Sequence, residues 1–179
     1  MNFEQYDRVR PLIWQSGPSL QILDQRVLPQ HQRYLSCQTS DEVAEAIGNL
    51  AVRGAPAIGI AGAYGFVMAA LATKATLGHD ALLLISEPIE RLVNSRPTAV
   101  NLRWAIERMN HCLSDAKTDW RVLIEQEAIA IQTEDLAANR TMSVLGVEYL
   151  TQDARVLTHC NTGSLATAGF GTALGVIRA

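Results

Sequence analysis

One stretch concentrates the residues capable of chemistry: Leu157-Thr158-His159-Cys160-Asn161-Thr162-Gly163-Ser164, where a thiol, an amide, hydroxyls and a glycine follow a short β-prone run beginning at Ala154. Small residues follow from Leu165 to Ala173. The pattern predicts a strand over 155–159, a turn, and a closely packed Gly/Ala helix over 165–177. A helix start presents unpaired N–H groups and a partial positive charge, which receive a phosphate or another oxyanion. The same field favours the thiolate of a cysteine placed there. Cys160 is thus a candidate reactive thiol, with Asn161, Thr162, Gly163 and Ser164 as turn formers and anion donors. The bland alternative keeps Cys160 as a small hydrophobe in a tight turn. His159 adjoins it, but neighbours in an extended strand point to opposite faces, so His159 reads as structural.

A second cluster is Arg53-Gly54-Ala55-Pro56. Thr39 and Glu42 have the spacing of a capping box, and Val43, Ala46, Ile47, Leu50 and Ala51 follow at helical intervals. That helix is expected to stop at Arg53, with Gly54 in the left-handed position and Pro56 in the first turn of the next helix. The corner sets the Arg53 guanidinium beside free N–H groups, an arrangement that favours a bound anion. Arg96 projects from the loop Asn94–Thr98 and could join it or remain a solvated charge.

The elements that must position these groups read as follows. Runs at 11–14, 20–23 and 33–36 predict a small antiparallel sheet. Gly54 to Thr73 carries no charge and is rich in Ala and Gly, which predicts a buried helix packed through Gly59, Gly62 and Gly65 rather than a membrane span. Helical character runs from Asp80 to Val93 with Pro88 in its middle. A helix over 98–113 should bury Leu102, Ile106, Met109 and Leu113. A long helix from Trp120 to about Leu150 should bury Trp120, Leu123, Ile124, Ile131 and Leu145 and leave Glu125, Glu127, Glu134 and Asp135 in water. The fold class is therefore α+β. A mostly helical domain with a small antiparallel sheet occupies 1–150, and 151–179 begins a second domain. A lone strand with one covering helix leaves edges unpaired, so the chain is expected to end inside that domain.

The 179 residues are 48% hydrophobic and 18% charged with net charge −3, values of a globular chain without a basic stripe for nucleic acid. The N-terminus lacks a basic start and an apolar run, so it is no signal peptide. Three cysteines, Cys37, Cys112 and Cys160, have neither disulfide-framework nor zinc spacing, which points to a reducing, cytoplasmic setting. Cys37 and Cys112 read as filler.

Four blocks together resemble the family that unites methylthioribose-1-phosphate isomerases with regulatory subunits of the translation factor eIF2B, over its N-terminal half. They are Leu23-Asp24-Gln25 with Leu28-Pro29, Val52 to Gly59, Ser95 to Leu102 with Trp104-Ala105, and Thr158 to Ala166. The resemblance implies that 151–179 opens a Rossmann-like domain, and that the whole protein is a cytoplasmic homodimer. It implies interconversion of 5-methylthioribose 1-phosphate and 5-methylthioribulose 1-phosphate in methionine salvage, with no metal or organic cofactor. Residue by residue, Arg53, Gly54, Ala55 and Arg96 would contact the sugar phosphate and Cys160 would be catalytic. The family's catalytic aspartate falls beyond Ala179, so the chain alone is expected to be inactive. Two alternatives stay open: a regulatory subunit like the eIF2B relatives, and an isomerase of ribose 1,5-bisphosphate, which would need a second phosphate site where Trp104 and Phe170 suit a methylthio group.

Overall fold

The fold is that of a computed structural model, which describes residues 3–116 and 119–179. A one-turn helix α1 (Phe3–Tyr6) leads into strands β1 (Leu12–Gln15), β2 (Ser19–Leu23) and β3 (Tyr34–Cys37). They pair antiparallel in the order β1-β2-β3, with Leu12 opposite Ile22 and Leu20 opposite Cys37. Alternation puts Leu12, Leu20, Ile22 and Cys37 in the core. Burial raises the Cys37 thiol to about 11, so it is an inert core group, as expected of filler.

Helices α2 (Ser40–Gly48), α3 (Ala55–Leu71), α4 (Gly78–Leu84), α5 (Ser86–Ser95), α6 (Val100–Asp115), α7 (Trp120–Val147) and α8 (Ala173–Arg178) complete the chain. The centre is α3. Every residue from Ala57 to Ala70 is buried, as befits a helix apolar on all sides. Its glycines set the spacing: Gly59 lies against the Asn101 backbone of α6, Gly62 against Leu102, and Gly65 against Leu92 and Val43. Tyr64 stacks on Trp14 at 4.6 Å between centroids and donates to Gln132, whose amide in turn donates to the Leu12 carbonyl at 3.3 Å. Sheet, α3 and α7 are thereby joined. Among the described residues no helix is long and apolar enough to cross a membrane.

The capping box forms as expected, with Glu42 N–H donating to Thr39 Oγ1 at 3.2 Å and the Glu42 carboxylate accepting from Thr39 N–H at 3.1 Å. The helix it starts ends at Gly48, however, five residues before Arg53. Ala51 N–H bonds the Ala46 carbonyl and Leu50 N–H the Ile47 carbonyl, a Schellman closure with Leu50, not Gly54, in the left-handed region at φ 66°. Gly54 does take positive φ, 93°, but as the residue preceding α3, with Pro56 in the first turn. The 80–93 segment divides into α4 and α5, with Pro88 in the first turn of α5 where its missing N–H costs nothing. Leu102, Ile106, Met109 and Leu113 are buried as the spacing predicts, although α6 runs from 100 to 115.

Three expectations need correction. In α7, Leu123 and Leu145 are exposed, while Glu125 accepts from Trp14 Nε1 at 2.7 Å and Asp135 is drawn into a half-buried contact with Ala168 N–H. The strand over 155–159 does not form. Residues 151–160 are exposed coil, because no strand among the described residues lies beside them to satisfy their backbone groups. The helix over 165–177 shrinks to a 3-10 turn at Ser164–Ala166 and the short α8. Between them the backbone finds other acceptors: Gly169 N–H bonds Thr167 Oγ1 at 3.2 Å, Phe170 N–H bonds Ser164 Oγ at 3.1 Å, and Ala168 N–H bonds Asp135 Oδ2 at 2.7 Å. The observed architecture is thus α+β, mostly helical with one three-stranded sheet, and the strand–helix unit anticipated for 151–179 is absent from it.

Candidate active site

Two long helices begin at the same place. Ala55, the first residue of α3, and Val100 and Asn101, the first of α6, line one cleft, and among the described residues neither helix start carries a side-chain cap. Gly59 makes this convergence possible, since a Cβ there would press on the Asn101 carbonyl at 2.8 Å. The cleft holds about 520 Å³ and also takes in Arg53, Arg96, Thr98, Cys160 and Asn161.

Arg53 is exposed on the corner before α3 and donates from Nε to the Leu50 carbonyl at 3.3 Å, so the Schellman closure of α2 steadies its stem. Arg96 caps the end of α5, and its carbonyl accepts Ala99 N–H at 2.9 Å on the way into α6. Among the described residues neither guanidinium has a carboxylate partner. None of the described residues that line the cleft is Asp or Glu. Two cations and two helix N-termini facing one space give a field suited to a phosphate ester. Cys160 is exposed at its rim in the left-handed conformation, φ 69°.

The structure therefore brings Arg53, Gly54, Ala55, Arg96, Cys160 and Asn161 together, which had been separate blocks of sequence. Thr162, Gly163 and Ser164 go elsewhere. They line a smaller apolar cavity of about 350 Å³ with Leu28, Pro29 and Leu174. Ser164 is buried with its hydroxyl engaged by Phe170 N–H, and the element that follows the cysteine is the 3-10 turn Ser164–Ala166 rather than the start of a long α-helix. His159 is exposed. Thr98 and Asn101 of the cleft were not singled out from sequence; they lie in the same block as Arg96, and that proximity was the available signal. Trp104 lines a neighbouring cavity of about 460 Å³ that shares Val100 and Asn101 with the cleft, whereas Phe170 is fully buried against Phe3. Among the described residues no three His, Cys, Asp or Glu side chains are grouped to hold a metal.

Fold and cleft together define a mostly helical α+β fold with a cleft lined by two arginines, two helix starts and a cysteine. Residues 51–179 match the profile described as the initiation factor 2 subunit family, and the chain belongs to that family. It is 56% identical over its whole length to a methylthioribose-1-phosphate isomerase of Stenotrophomonas maltophilia and 55% to one of Xanthomonas oryzae, covering 50% of each. The chain thus spans about half the length of the curated relatives it matches, their N-terminal half. Among solved structures it is similar to 5-methylthioribose 1-phosphate isomerase from Pyrococcus horikoshii, at TM-score 0.88 and 38% identity, covering 99% of this chain and 51% of that one. It is similar also to the delta subunit of translation initiation factor eIF-2B from A. fulgidus, at TM-score 0.83 and 38% identity, covering 95% and 50%.

Proposed function

We propose that this chain provides the phosphate-gripping half and the reactive thiol of a methylthioribose-1-phosphate isomerase, interconverting 5-methylthioribose 1-phosphate and 5-methylthioribulose 1-phosphate in methionine salvage. The observation that carries the reading is the convergence of Arg53, Arg96 and Cys160 on one cleft with no Asp or Glu among the described residues that line it. Arg53, Arg96 and the N-termini of α3 and α6 hold the phosphate and fix the sugar in place. The reaction shifts hydrogen between C1 and C2. Cys160 either takes the C2 proton as thiolate or stabilises charge while a hydride moves. The phosphate on the anomeric oxygen blocks simple ring opening, so an acid must protonate the ring oxygen. That acid is the aspartate which the resemblance puts outside these 179 residues. On the same reading the chain alone binds but does not turn over, 151–179 belongs to a Rossmann-like domain, and the whole protein is a cytoplasmic homodimer needing no metal.

The likeness to an eIF-2B delta subunit supports a second reading, a regulatory subunit that uses the cleft for sensing. One experiment separates the two. Iodoacetamide labelling of Cys160 in this chain is followed with and without methylthioribose 1-phosphate, and isomerisation is assayed in the longer polypeptide. Protection of Cys160, together with turnover lost on Cys160→Ala, is expected. Turnover that survives Cys160→Ala overturns the catalytic role, and binding without turnover in the longer polypeptide favours the regulatory subunit.

A further inference from the structure

The segment that carries Cys160 is tied by one side chain outside the cleft to the segment that carries Arg53, and by a second to α7. From Gly163 to Phe170 the chain is wound on itself. Ala166 N–H bonds the Gly163 carbonyl at 3.0 Å, Thr167 Oγ1 donates to the Gly169 carbonyl at 3.2 Å, and Ser164 Oγ accepts Phe170 N–H. These bonds tie the segment to itself, and Cys160 and Asn161 stand just ahead of its leading end. Three things hold it. Gly54 packs on the Ala166 backbone. Gln25 donates from Nε2 to the Leu165 carbonyl at 2.7 Å, while its own backbone N–H bonds the Ala51 carbonyl at 2.9 Å, two residues before Arg53. Asp135, in the middle of α7, accepts Ala168 N–H at 2.7 Å from the far side.

We infer that Gln25 and Asp135 are positioning residues that clamp the 163–170 knot and so set the placement of Cys160 relative to Arg53 and Arg96. Gln25 alone reaches both partners, one through its backbone and the other through its side chain. Without the clamp the knot keeps its packing, with Phe170 edge-on to Phe3 and Ala166 against Gly54, but loses the hydrogen bonds that tie it to Gln25 and to α7. Burial raises the Asp135 carboxyl above its ordinary value even though the Ala168 bond opposes this, so the acceptor is held in place despite a desolvation cost. The inference takes the role of Cys160 from the isomerase reading; the clamp itself is a matter of geometry.

The test uses the 179-residue chain with Thr98→Cys on the opposite cleft wall, Cys112→Ser to silence the half-buried thiol, and bismaleimidoethane to bridge the introduced thiol to Cys160. Cross-linking reads the effective concentration of one thiol at the other. Gln25→Leu and Asp135→Ala should each lower its rate by about fivefold while the far-ultraviolet circular dichroism is unchanged. Asp135→Asn, whose amide oxygen still accepts Ala168 N–H, should restore it. Unchanged rates in folded variants overturn the clamp, and so does an Asp135→Asn variant as slow as Asp135→Ala. Hydrogen exchange on the unaltered chain needs no substitution: slow exchange at the Ala168 amide supports the clamp and fast exchange there overturns it. A chain that cross-links as expected yet binds no methylthioribose 1-phosphate supports the clamp and removes the isomerase reading.

Discussion

Gly54 meets Ala166 backbone to backbone, and a Cβ on Gly54 would overlap the Ala166 Cα, Cβ and carbonyl. The corner that presents Arg53 and the knot that follows Cys160 are therefore in direct contact. Gly54 also has φ 93° and ψ 134°, a region that L side chains rarely adopt. Gly54→Ala suffers both penalties at once. It should lower unfolding free energy by about 2 to 4 kcal/mol, read as a reduced urea midpoint with unchanged slope.

Acid stability should centre on Asp24. Its side chain is fully buried and takes two bonds from the Arg26 guanidinium, at 2.7 and 2.9 Å, one from the Arg26 backbone N–H at 3.2 Å, and one from Arg33 at 2.7 Å. The Arg26 bonds, followed by that of Arg33, hold its carboxyl well below the usual carboxylate range against desolvation. A depressed acid stabilises the fold above its unfolded value, about 3.9, and that stabilisation is lost as pH falls toward the folded value. Asp24→Asn should cost about 2 to 3 kcal/mol at pH 7, the lower end because both arginines reach water. In urea titrations across pH, the gap between the two proteins should close below about pH 4.

Local signals were legible where a few adjacent residues suffice. Thr39 with Glu42 marked a helix start, Leu102 to Leu113 marked a buried face, and three short runs marked the sheet. Leu50 carried no such signal, since nothing about leucine announces a left-handed residue; the Schellman bonds to Ala46 and Ile47 impose it. Residues 155–159 had β propensity, but a strand exists only against a partner, which propensity does not supply. Asp135 looked solvated because helical spacing is blind to Ala168, and Gln25 gave no hint of Leu165, 140 residues on. The candidate site was half legible: Arg53, Arg96 and Cys160 were singled out, while the departure of Thr162 to Ser164 into a separate cavity depended on how the knot folds.

The capping box offers a cleaner measurement, because it touches nothing in the cleft. Thr39→Ala removes the acceptor for Glu42 N–H and should cost about 1 kcal/mol by urea unfolding. Glu42→Ala should cost a similar amount, since its carboxylate accepts both Gln38 N–H at 2.6 Å and Thr39 N–H. The double variant should cost less than the sum, because either change breaks the reciprocal pair.

Arg96 and Arg53 should separate binding from stability. Arg96 is half-buried, Arg53 is exposed, and among the described residues neither is spent on a carboxylate. Removing either guanidinium thus uncovers no buried charge, and unfolding free energies should shift by less than about 0.5 kcal/mol. A phosphate ester in the cleft would lose charge-assisted bonds, so Arg96→Ala should weaken methylthioribose 1-phosphate binding about 10- to 100-fold by calorimetry. Arg96→Lys should recover only part of that, since an ammonium cannot grip two phosphate oxygens in a fixed fork. Raising salt should erode binding to the unaltered chain more than to the variant, because screening acts on the charge pair the variant lacks. Equal affinity in Arg96→Ala and the unaltered chain would mean that the anion site lies elsewhere.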